Sequence, residues 1–345
     1  MKTSSTGDEI SIPFAHPAFV RTVLDYLGSR GVQPSAVLER AGLAWQDLHD
    51  GQRMVDFTVF RRFVSHAIEC SGDRALGLLA GAMFQPYHTP LGIAAVTSDT
   101  LGQALQFVAR HAKLIFGGME YQLENGPKWS TFKVKPIRPL CETHIFVIQS
   151  ILGAYYRLLE AVLGRPVDEL AVGLPYPRPD GEDESSLRYV RTVTFDQEYL
   201  TLQLPAKLLD EPSRSADPQA FFEAAQTCQR MESEQKRGEF VQRVRQALQE
   251  RMTDNPDASE LAADLGVSSR TLVRRLVEAG VTYSDIKDDL RKSHAAWYLK
   301  HTELSMESIA SQLGYTDPTS FGRKFKDWYR MTPSTMRREL RAGAN

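Results

Sequence analysis

An internal repeat in the last third of the chain constrains the fold more than any other feature. Residues 261–268 (Leu-Ala-Ala-Asp-Leu-Gly-Val-Ser) resemble residues 309–316 (Ile-Ala-Ser-Gln-Leu-Gly-Tyr-Thr), and matching pieces follow at residues 272–276 and 321–325. A single pair of amphipathic helices joined at a glycine occurs in many all-α domains, with basic residues on a solvated face. Two matching copies with basic residues at the same place favour a repeated functional unit instead.

Each copy has the pattern of two short helices joined by a tight turn. Leu261 and Leu265 are four residues apart and share one helix face, and the second copy repeats this spacing. A glycine then ends the helix, because glycine readily takes the left-handed conformation that a tight exit needs. A serine in the first copy, and an aspartate followed by proline in the second, can cap the next helix. We therefore predict helix-turn-helix units at about residues 258–279 and 306–330.

The second helix of each copy separates apolar from basic residues. In the first copy, leucines four residues apart face inward, whereas Arg270 and Arg274 face outward. Thr319 and Arg323 face outward in the second copy, opposite two phenylalanines. Arginine can bridge guanine with two hydrogen bonds, and threonine can meet an adenine edge or a thymine methyl group. This pattern predicts that both helices contact the major groove of double-stranded DNA.

A single helix is predicted between the two copies, at about residues 283–300, with Ile286, Leu290 and Trp297 on its apolar side. Its length of roughly 27 Å follows from the rise of about 1.5 Å per residue. Successive major grooves on one face of DNA are about 34 Å apart. One chain can therefore contact two adjacent half-sites without a second copy.

The region 241–340 closely resembles the DNA-binding domain of the AraC/XylS transcription regulators. The matching positions are Leu261-Ala262, Leu265-Gly266-Val267-Ser268, Arg270-Thr271-Leu272, Arg274-Arg275-Leu276, Ile309-Ala310, Leu313-Gly314-Tyr315, Asp317-Pro318, Phe321, Arg323, Phe325 and Thr332-Pro333-Ser334. The resemblance implies seven helices in two helix-turn-helix subdomains. It also implies a bacterial regulator that acts with RNA polymerase, usually as an activator.

The resemblance further indicates which side chains meet DNA. The base-reading positions fall on Arg270, Val273 and Arg274 in the first copy, and on Thr319, Ser320 and Arg323 in the second. Val273 departs from a polar reader and can meet only a thymine methyl group. The phosphate-contacting positions are predicted to be Arg275, Lys324 and Lys326. A cation there adds affinity without sequence information.

The first two thirds of the chain combine helical and alternating patterns. Apolar residues recur at helical spacing in the segments 18–28, 34–41, 57–70, 74–82, 100–116 and 141–163. Alternation around Asn125-Gly126 predicts a β-hairpin, and further strands are predicted at 169–174, 193–195 and 199–204. We expect an α+β fold: a mostly helical N-terminal domain with a small antiparallel sheet, plus an all-α C-terminal domain with two helix-turn-helix subdomains.

Residues 18–235 resemble the arabinose-binding-like N-terminal domain of such regulators. The landmarks include Leu38-Glu39-Arg40-Ala41-Gly42-Leu43, Ser71-Gly72-Asp73 and Ala216-Asp217-Pro218. The resemblance implies that this domain binds a small-molecule effector or self-associates, although such domains do not generally bind arabinose. The predicted organisation is a polar N-terminal segment (1–17), an effector or regulatory domain (18–210), an interdomain helical linker (211–238) and an AraC-type DNA-binding domain (239–341). The proline-rich and acidic stretch 176–188 is predicted to be an exposed loop.

The linker region offers two interpretations. Helical spacing from residue 219 to residue 252 places Phe221, Phe222, Ala225 and Cys228 in one apolar seam. The seam either packs inside the N-terminal domain or forms a homodimer. The first interpretation is favoured on the sequence alone.

Charge and motifs narrow the class of protein. Residues 236–345 hold four more basic than acidic residues, whereas the rest of the chain holds six more acidic than basic ones. This asymmetry is compatible with a nucleic-acid partner. No P-loop, dinucleotide-binding glycine motif or zinc-protease motif is present, so neither a cofactor nor a metal is expected. The start of the chain is polar, and no membrane partner is expected.

Two alternatives to a ligand-responsive regulator remain. An enzyme with a DNA-binding tail, such as a repair alkyl-transferase, needs a reactive cysteine. Cys70, Cys141 and Cys228 all lie in apolar helical patterns, which predicts unreactive thiols in a reducing cytoplasm. The other alternative is an architectural DNA-binding protein that responds to no effector.

Overall fold

The computed structural model divides into two compact units, and the chain passes from the first to the second between Glu232 and Ser233. The structure describes residues 13–49, 54–73, 75–178 and 190–342. The first unit is mostly helical with a sheet and the second is all-α, so the predicted fold class is confirmed. Most of the predicted polar segment 1–17 and of the predicted loop 176–188 lies outside the described residues.

The helices of the first unit largely follow the predicted segments. They are α1 (Pro17–Ser29), α2 (Pro34–Ala41), α3 (Phe57–Ser71), α4 (Leu76–Met83), α5 (Pro90–Thr97), α6 (Leu101–His111), α7 (His144–Leu163) and the start of α8 (Pro218–Glu250). The sequence patterns miss α5, because Gly92 and β-branched residues give it a weak helix propensity. Its first turn is instead capped by Thr89, whose Oγ1 accepts a hydrogen bond from the Gly92 amide at 3.3 Å.

Helices α4 and α7 pack backbone against backbone at the centre of the first unit. A Cβ atom at Gly153 would lie 2.4 Å from the carbonyl oxygen of Leu78, and one at Gly81 would lie 2.1 Å from that of Ser150. Neither position has room for a side chain. These two glycines therefore set the distance between the helices on which the rest of the unit is built.

Helix α7 is a long apolar helix of the first unit. With the turn before it, Cys141–Leu163, it is long and apolar enough to cross a membrane, although 72% of its most apolar window is buried within the protein. Gln149 and Ser150, which interrupt the apolar run in the sequence, are themselves buried. This burial identifies α7 as a core helix.

The sheet of the first unit contains the five predicted strands but is mixed rather than purely antiparallel. Its strands are β3 (Met119–Asn125), β4 (Trp129–Pro136), β5 (Ala171–Gly173), β6 (Thr192–Thr194) and β7 (Leu200–Pro205), in the order β3-β4-β7-β5-β6. The pairs are antiparallel except for β5 and β6, which run parallel with Val172 opposite Val193. The strands β1 (Pro13–Ala15) and β2 (Val55–Asp56) form a separate antiparallel pair. The sequence patterns did not predict β1 and β2, because strands of two or three residues are too short to show a clear alternation.

The predicted seam on α8 divides between the core and the surface. Cys228 is fully buried, and the ring of Phe221 lies 5.4 Å from that of Phe107 on α6. Phe222 is instead 56% exposed and does not belong to the seam. The structure therefore favours packing within the domain for most of these residues.

The second unit contains the end of α8 and six further helices, which together give the seven that the resemblance implies. They are α9 (Ala258–Asp264), α10 (Ser269–Glu278), α11 (Tyr283–His301), α12 (Met306–Gln312), α13 (Pro318–Tyr329) and α14 (Pro333–Ala342). One apolar core joins them, with Phe240, Val244 and Leu248 of α8 at one side. Ile286 and Leu290 of α11 are buried as predicted, but Trp297 is 55% exposed because Ala295 and Leu299 take the inward positions.

Candidate nucleic-acid interface

The first helix-turn-helix consists of α9 and α10. The Asp257 carboxylate caps α9 by accepting hydrogen bonds from the amides of Ser259 and Glu260 at 2.7 and 2.9 Å. At the turn, Gly266 has φ +68°, the left-handed conformation that favours glycine. Ser268 Oγ then accepts from the Thr271 amide at 3.1 Å and starts α10. Local capping thus fixes both helix ends on either side of the turn.

Helix α10 presents one buried and one exposed face. Leu272 and Leu276 are almost completely buried. The three predicted base readers, Arg270, Val273 and Arg274, are all exposed. Because residues three and four positions apart on a helix are neighbours, these side chains share one exposed surface.

The two consecutive arginines of α10 point in different directions. Arg274 Nη1 lies 2.7 Å from Glu278 Oε1, and both side chains are about half exposed. Such a surface ion pair contributes about 0.3–0.5 kcal/mol, so DNA can replace it at low cost. The Arg275 guanidinium instead lies over the Phe240 ring at 5.1 Å from the ring centre.

Helix α8 contributes cations that the sequence analysis did not assign to the interface. A surface cleft, which we name the α8 cleft, is lined by Lys236, Arg237, Glu239, Phe240, Arg243, Arg275 and Glu278. Four of these seven residues are cationic, so the cleft suits a phosphate better than a base edge. Lys236 and Arg243 are seven residues apart, which places them on the same face of a helix. This spacing could have revealed the cations of α8 from the sequence.

The second helix-turn-helix consists of α12 and α13. Ser305 Oγ caps α12 by accepting from the Ser308 amide at 3.0 Å. At the turn, Gly314 has φ +69°, and a Cβ atom there would lie 2.4 Å from the Met252 carbonyl oxygen. Asp317 Oδ1 then accepts from the Ser320 amide at 2.8 Å and starts α13. The hydrogen bonds from the Ser320 amide and then from its hydroxyl lower the pKa of the Asp317 carboxyl group.

Helix α13 repeats the two-faced arrangement of α10 with larger core residues. Phe321 and Phe325 are buried, whereas Thr319 and Arg323 are exposed. Ser320 is half-buried, because its hydroxyl donates to Asp317 Oδ2 at 2.7 Å. The structure therefore places two of the three predicted readers on the open face and gives the third a role in the cap.

The predicted phosphate-contacting lysines of α13 differ in their surroundings. Lys324 Nζ lies 2.6 Å from Asp288 Oδ2 on α11. Lys326 is exposed near the end of α13. Contact between Lys324 and a phosphate therefore competes with an existing ion pair, whereas no such pair is found for Lys326 within the described residues.

Arg291 joins α11 to the turn of the second helix-turn-helix. Its Nε donates to the Leu313 carbonyl at 2.9 Å, its Nη2 donates to Asn255 Oδ1 at 2.7 Å, and its guanidinium lies 4.4 Å from the centre of the Tyr315 ring. Arg291 thus fixes the second turn against α11 by three kinds of contact. Sequence patterns do not reveal this role, because its contacts are distant along the chain.

Comparison with known families explains this arrangement. Residues 31–213 match the family described as the arabinose-binding domain of AraC transcription regulators, N-terminal, and residues 261–339 match a helix-turn-helix domain family. The chain belongs to the AraC family of transcription regulators. It is therefore a DNA-binding transcription regulator and not an enzyme.

Relatives of this AraC-family regulator are found among bacterial regulators. It is 28% identical to the ornithine utilization regulator of Pseudomonas aeruginosa over 324 residues, covering 93% of this chain and 95% of that protein. It is 27% identical to the regulator VqsM of the same species over 189 residues, covering 53% of this chain and 57% of that protein. The crystal structure of the transcriptional regulator CdpR from Pseudomonas aeruginosa aligns with a TM-score of 0.44 and 21% identity, covering 92% of this chain and 97% of that one.

The cysteines of this AraC-family regulator differ from the prediction in their exposure. Cys70 and Cys141 are exposed rather than packed in apolar surroundings, and Cys228 is buried. Burial raises the pKa of the Cys228 thiol to about 12, which leaves little of the reactive thiolate near neutral pH. Helical spacing did not reveal the exposure of Cys70 and Cys141. Cys70 lies in the last turn of α3, and Cys141 lies just before the start of α7.

Proposed function

We propose that this AraC-family regulator binds promoter DNA with α10 and α13 in two adjacent major-groove half-sites. The observation that carries the proposal is the matched division of each helix into a buried apolar face and an exposed face with arginine. The proposed base readers are Arg270, Val273 and Arg274 on α10 and Thr319, Ser320 and Arg323 on α13. Arginine on such a face suits guanine, and the threonine and valine methyl groups suit thymine.

Phosphate contacts surround these readers in the proposed complex. Arg275, Lys324 and Lys326 flank the exposed faces of the two helices. Lys236, Arg237 and Arg243 extend the positive charge along α8. These contacts add affinity that falls as salt rises, because each neutralised phosphate releases counterions.

We further propose that the N-terminal domain (18–210) takes a small-molecule effector and that the helical linker (211–238) transmits its effect to the DNA-binding domain (239–341). An effector can act only by binding one state of the protein more tightly than another. The name of the ornithine utilization regulator links that relative to a metabolite, which supports effector control here. We propose that the bound regulator activates transcription by RNA polymerase in the cytoplasm.

Selection of bound duplexes from a random pool, followed by footprinting of the full-length protein, tests the DNA-binding proposal. We expect two short conserved blocks one helical turn apart, protected by one protein molecule. A single block, or protection that needs two molecules for its two halves, contradicts the assignment. Transcription from a selected site with purified RNA polymerase tests activation, and reduced transcription identifies a repressor.

A further inference from the structure

The first unit contains a cavity that is lined mostly by apolar side chains. It lies among α5, α6, α7 and the start of β3, and its enclosed volume is about 80 Å³. Its walls include Ile115, Phe116, Ile151 and Leu158. Sites for small molecules in proteins are lined mostly by apolar and aromatic side chains with a small number of polar groups. The cavity therefore has the lining of a site for a small ligand.

The cavity has few polar groups, and they differ in whether they have a hydrogen-bond partner. Among the described residues no charged side chain lines it, and its polar side chains are Thr89, Tyr121 and Tyr155. Thr89 Oγ1 already caps α5, and Tyr121 Oη donates to the Phe116 carbonyl at 3.3 Å. The buried hydroxyl of Tyr155 has no hydrogen-bond partner among the described residues. Buried hydroxyl groups are normally hydrogen-bonded, so Tyr155 needs an explanation.

Burial keeps the Tyr155 hydroxyl protonated. Removal from water, and secondarily the neighbouring Tyr121, raise the pKa of Tyr155 far above its ordinary value. The hydroxyl is therefore a hydrogen-bond donor. A bound water would need two to four polar partners, and the apolar walls around Tyr155 provide few. The hydroxyl is closed off even from a water molecule, so an apolar ligand that displaces part of the wall can bring the missing acceptor atom.

We propose that this cavity is the effector site and that it takes a neutral, mainly hydrocarbon ligand with one carbonyl oxygen, which accepts a hydrogen bond from Tyr155. This inference rests on the proposed effector control of the regulator. Ionised ligands are disfavoured, because no cation in the walls offsets the loss of water around a carboxylate. A dibasic amino acid is disfavoured for the same reason, since no carboxylate lines the cavity.

The cavity wall lies next to a contact that holds α8. Val108 and Ala112 line the cavity, and His111 lies between them in the chain. His111 is 4% exposed, and its Nδ1 lies 2.9 Å from Glu232 Oε1 on α8. Helix α8 continues from there to Glu250. A ligand that moves the end of α6 therefore acts on the element that leads into the DNA-binding unit.

Three ligands of similar shape test the proposal by calorimetry on the full-length protein: acetophenone, ethylbenzene and benzoate. We expect acetophenone to bind about three- to tenfold more tightly than ethylbenzene, because only the ketone accepts a hydrogen bond. Benzoate, the charged isostere, is expected to bind at least tenfold more weakly than acetophenone. Absence of binding by both uncharged ligands, or equal binding of benzoate and acetophenone, overturns the proposal.

Variants of the protein locate the site. Tyr155→Phe removes only the hydroxyl, so we expect the acetophenone affinity to fall to that of ethylbenzene while the ethylbenzene affinity stays unchanged. Tyr156→Phe removes a hydroxyl from the next residue of α7, outside the cavity walls, and should leave both affinities unchanged. Ala154→Leu fills the cavity and should weaken both uncharged ligands. An unchanged acetophenone affinity in Tyr155→Phe sinks the assignment even if Ala154→Leu fails to fold.

The same titrations with promoter DNA present distinguish ligand binding in the cavity from an effect of the ligand on DNA affinity. Tyr155-dependent binding together with a changed DNA affinity supports both. Tyr155-dependent binding with an unchanged DNA affinity overturns effector control and leaves the ligand site standing. If calorimetry detects no ligand binding at this cavity, the ligand-site proposal fails. The DNA-binding proposal is unaffected and is tested by the footprint.

Discussion

The two helix-turn-helix copies share a backbone plan but hold their functional side chains differently. In the first copy the proposed base readers of α10 lie on an open surface, and Arg274 forms an exposed ion pair with Glu278. In the second copy Ser320 belongs to the helix cap and Lys324 is paired with Asp288. The core follows the same trend, with leucines in the first copy and packed aromatic rings in the second. The two copies therefore differ in which of the proposed DNA-contacting side chains are held by neighbouring residues.

The turn glycines should give the largest difference between the copies. Gly266 and Gly314 have nearly the same φ, but a Cβ atom meets nothing within 4 Å at Gly266 and lies 2.4 Å from the Met252 carbonyl oxygen at Gly314. We expect Gly266→Ala to cost about 1–2 kcal/mol from the left-handed backbone alone. Gly314→Ala adds overpacking and should cost about 2–5 kcal/mol in total.

Hydrogen exchange of second-unit peptides at increasing urea concentration measures both free energies of unfolding. The two variants serve as controls for each other, because each carries the same chemical change at the same place in its copy. Equal losses of stability would show that the second turn is no more tightly held than the first.

Replacement of the proposed arginine readers should give the next largest effect. Arg274→Ala and Arg323→Ala are each expected to weaken specific DNA binding by about 1–3 kcal/mol and to relax base preference in one half-site only. Equilibrium binding to duplexes substituted in one half-site at a time measures this. Glu278→Gln is the matched control, because it frees Arg274 from its ion pair and should not weaken binding. If both variants keep the footprint and base preferences of the parent protein, the two residues are not readers.

Changes to the ion pair of Lys324 with Asp288 should have a smaller effect on DNA affinity, and this effect should not depend on the DNA sequence. Lys324→Ala is expected to weaken binding to all sequences alike and to lower the salt dependence by about one counterion. Asp288→Asn frees Lys324 and should tighten binding up to about fivefold, since a surface pair contributes about 0–1 kcal/mol. The Asp288→Asn gain should vanish in the Lys324→Ala background. A loss confined to one base pair in Lys324→Ala would instead indicate base reading.

Sequence reasoning reached the elements of the second unit because their signals are local. Leucine spacing, turn glycines and caps such as Ser268 depend on neighbours within a few residues, and they gave α9, α10, α12 and α13. Contacts between distant segments carry no such signal. The Arg291 contacts, the parallel pairing of β5 with β6 and the exposure of Trp297 all depend on which segments meet in space. The cavity at Tyr155 was out of reach for the same reason.

The helix caps provide the smallest and most specific test, because carboxylate and hydroxyl caps are exchanged between the copies. Asp257 caps α9 and Ser268 caps α10, whereas Ser305 caps α12 and Asp317 caps α13. Amide hydrogen bonds lower the pKa of both Asp257 and Asp317, so each stabilises the folded state above its ordinary pKa and loses this contribution as the pH falls through the lowered value.

Acidification should therefore loosen the first turn of α13 before that of α10. Hydrogen exchange of the peptides that contain Ser320 and Thr271, followed from pH 6 downwards after correction for the intrinsic exchange rate, measures the two ends directly. In Asp317→Ser the extra acid sensitivity of α13 should disappear, because a hydroxyl cap does not titrate. Equal loosening of both helices in the parent protein would mean that the difference between α10 and α13 does not extend to their caps.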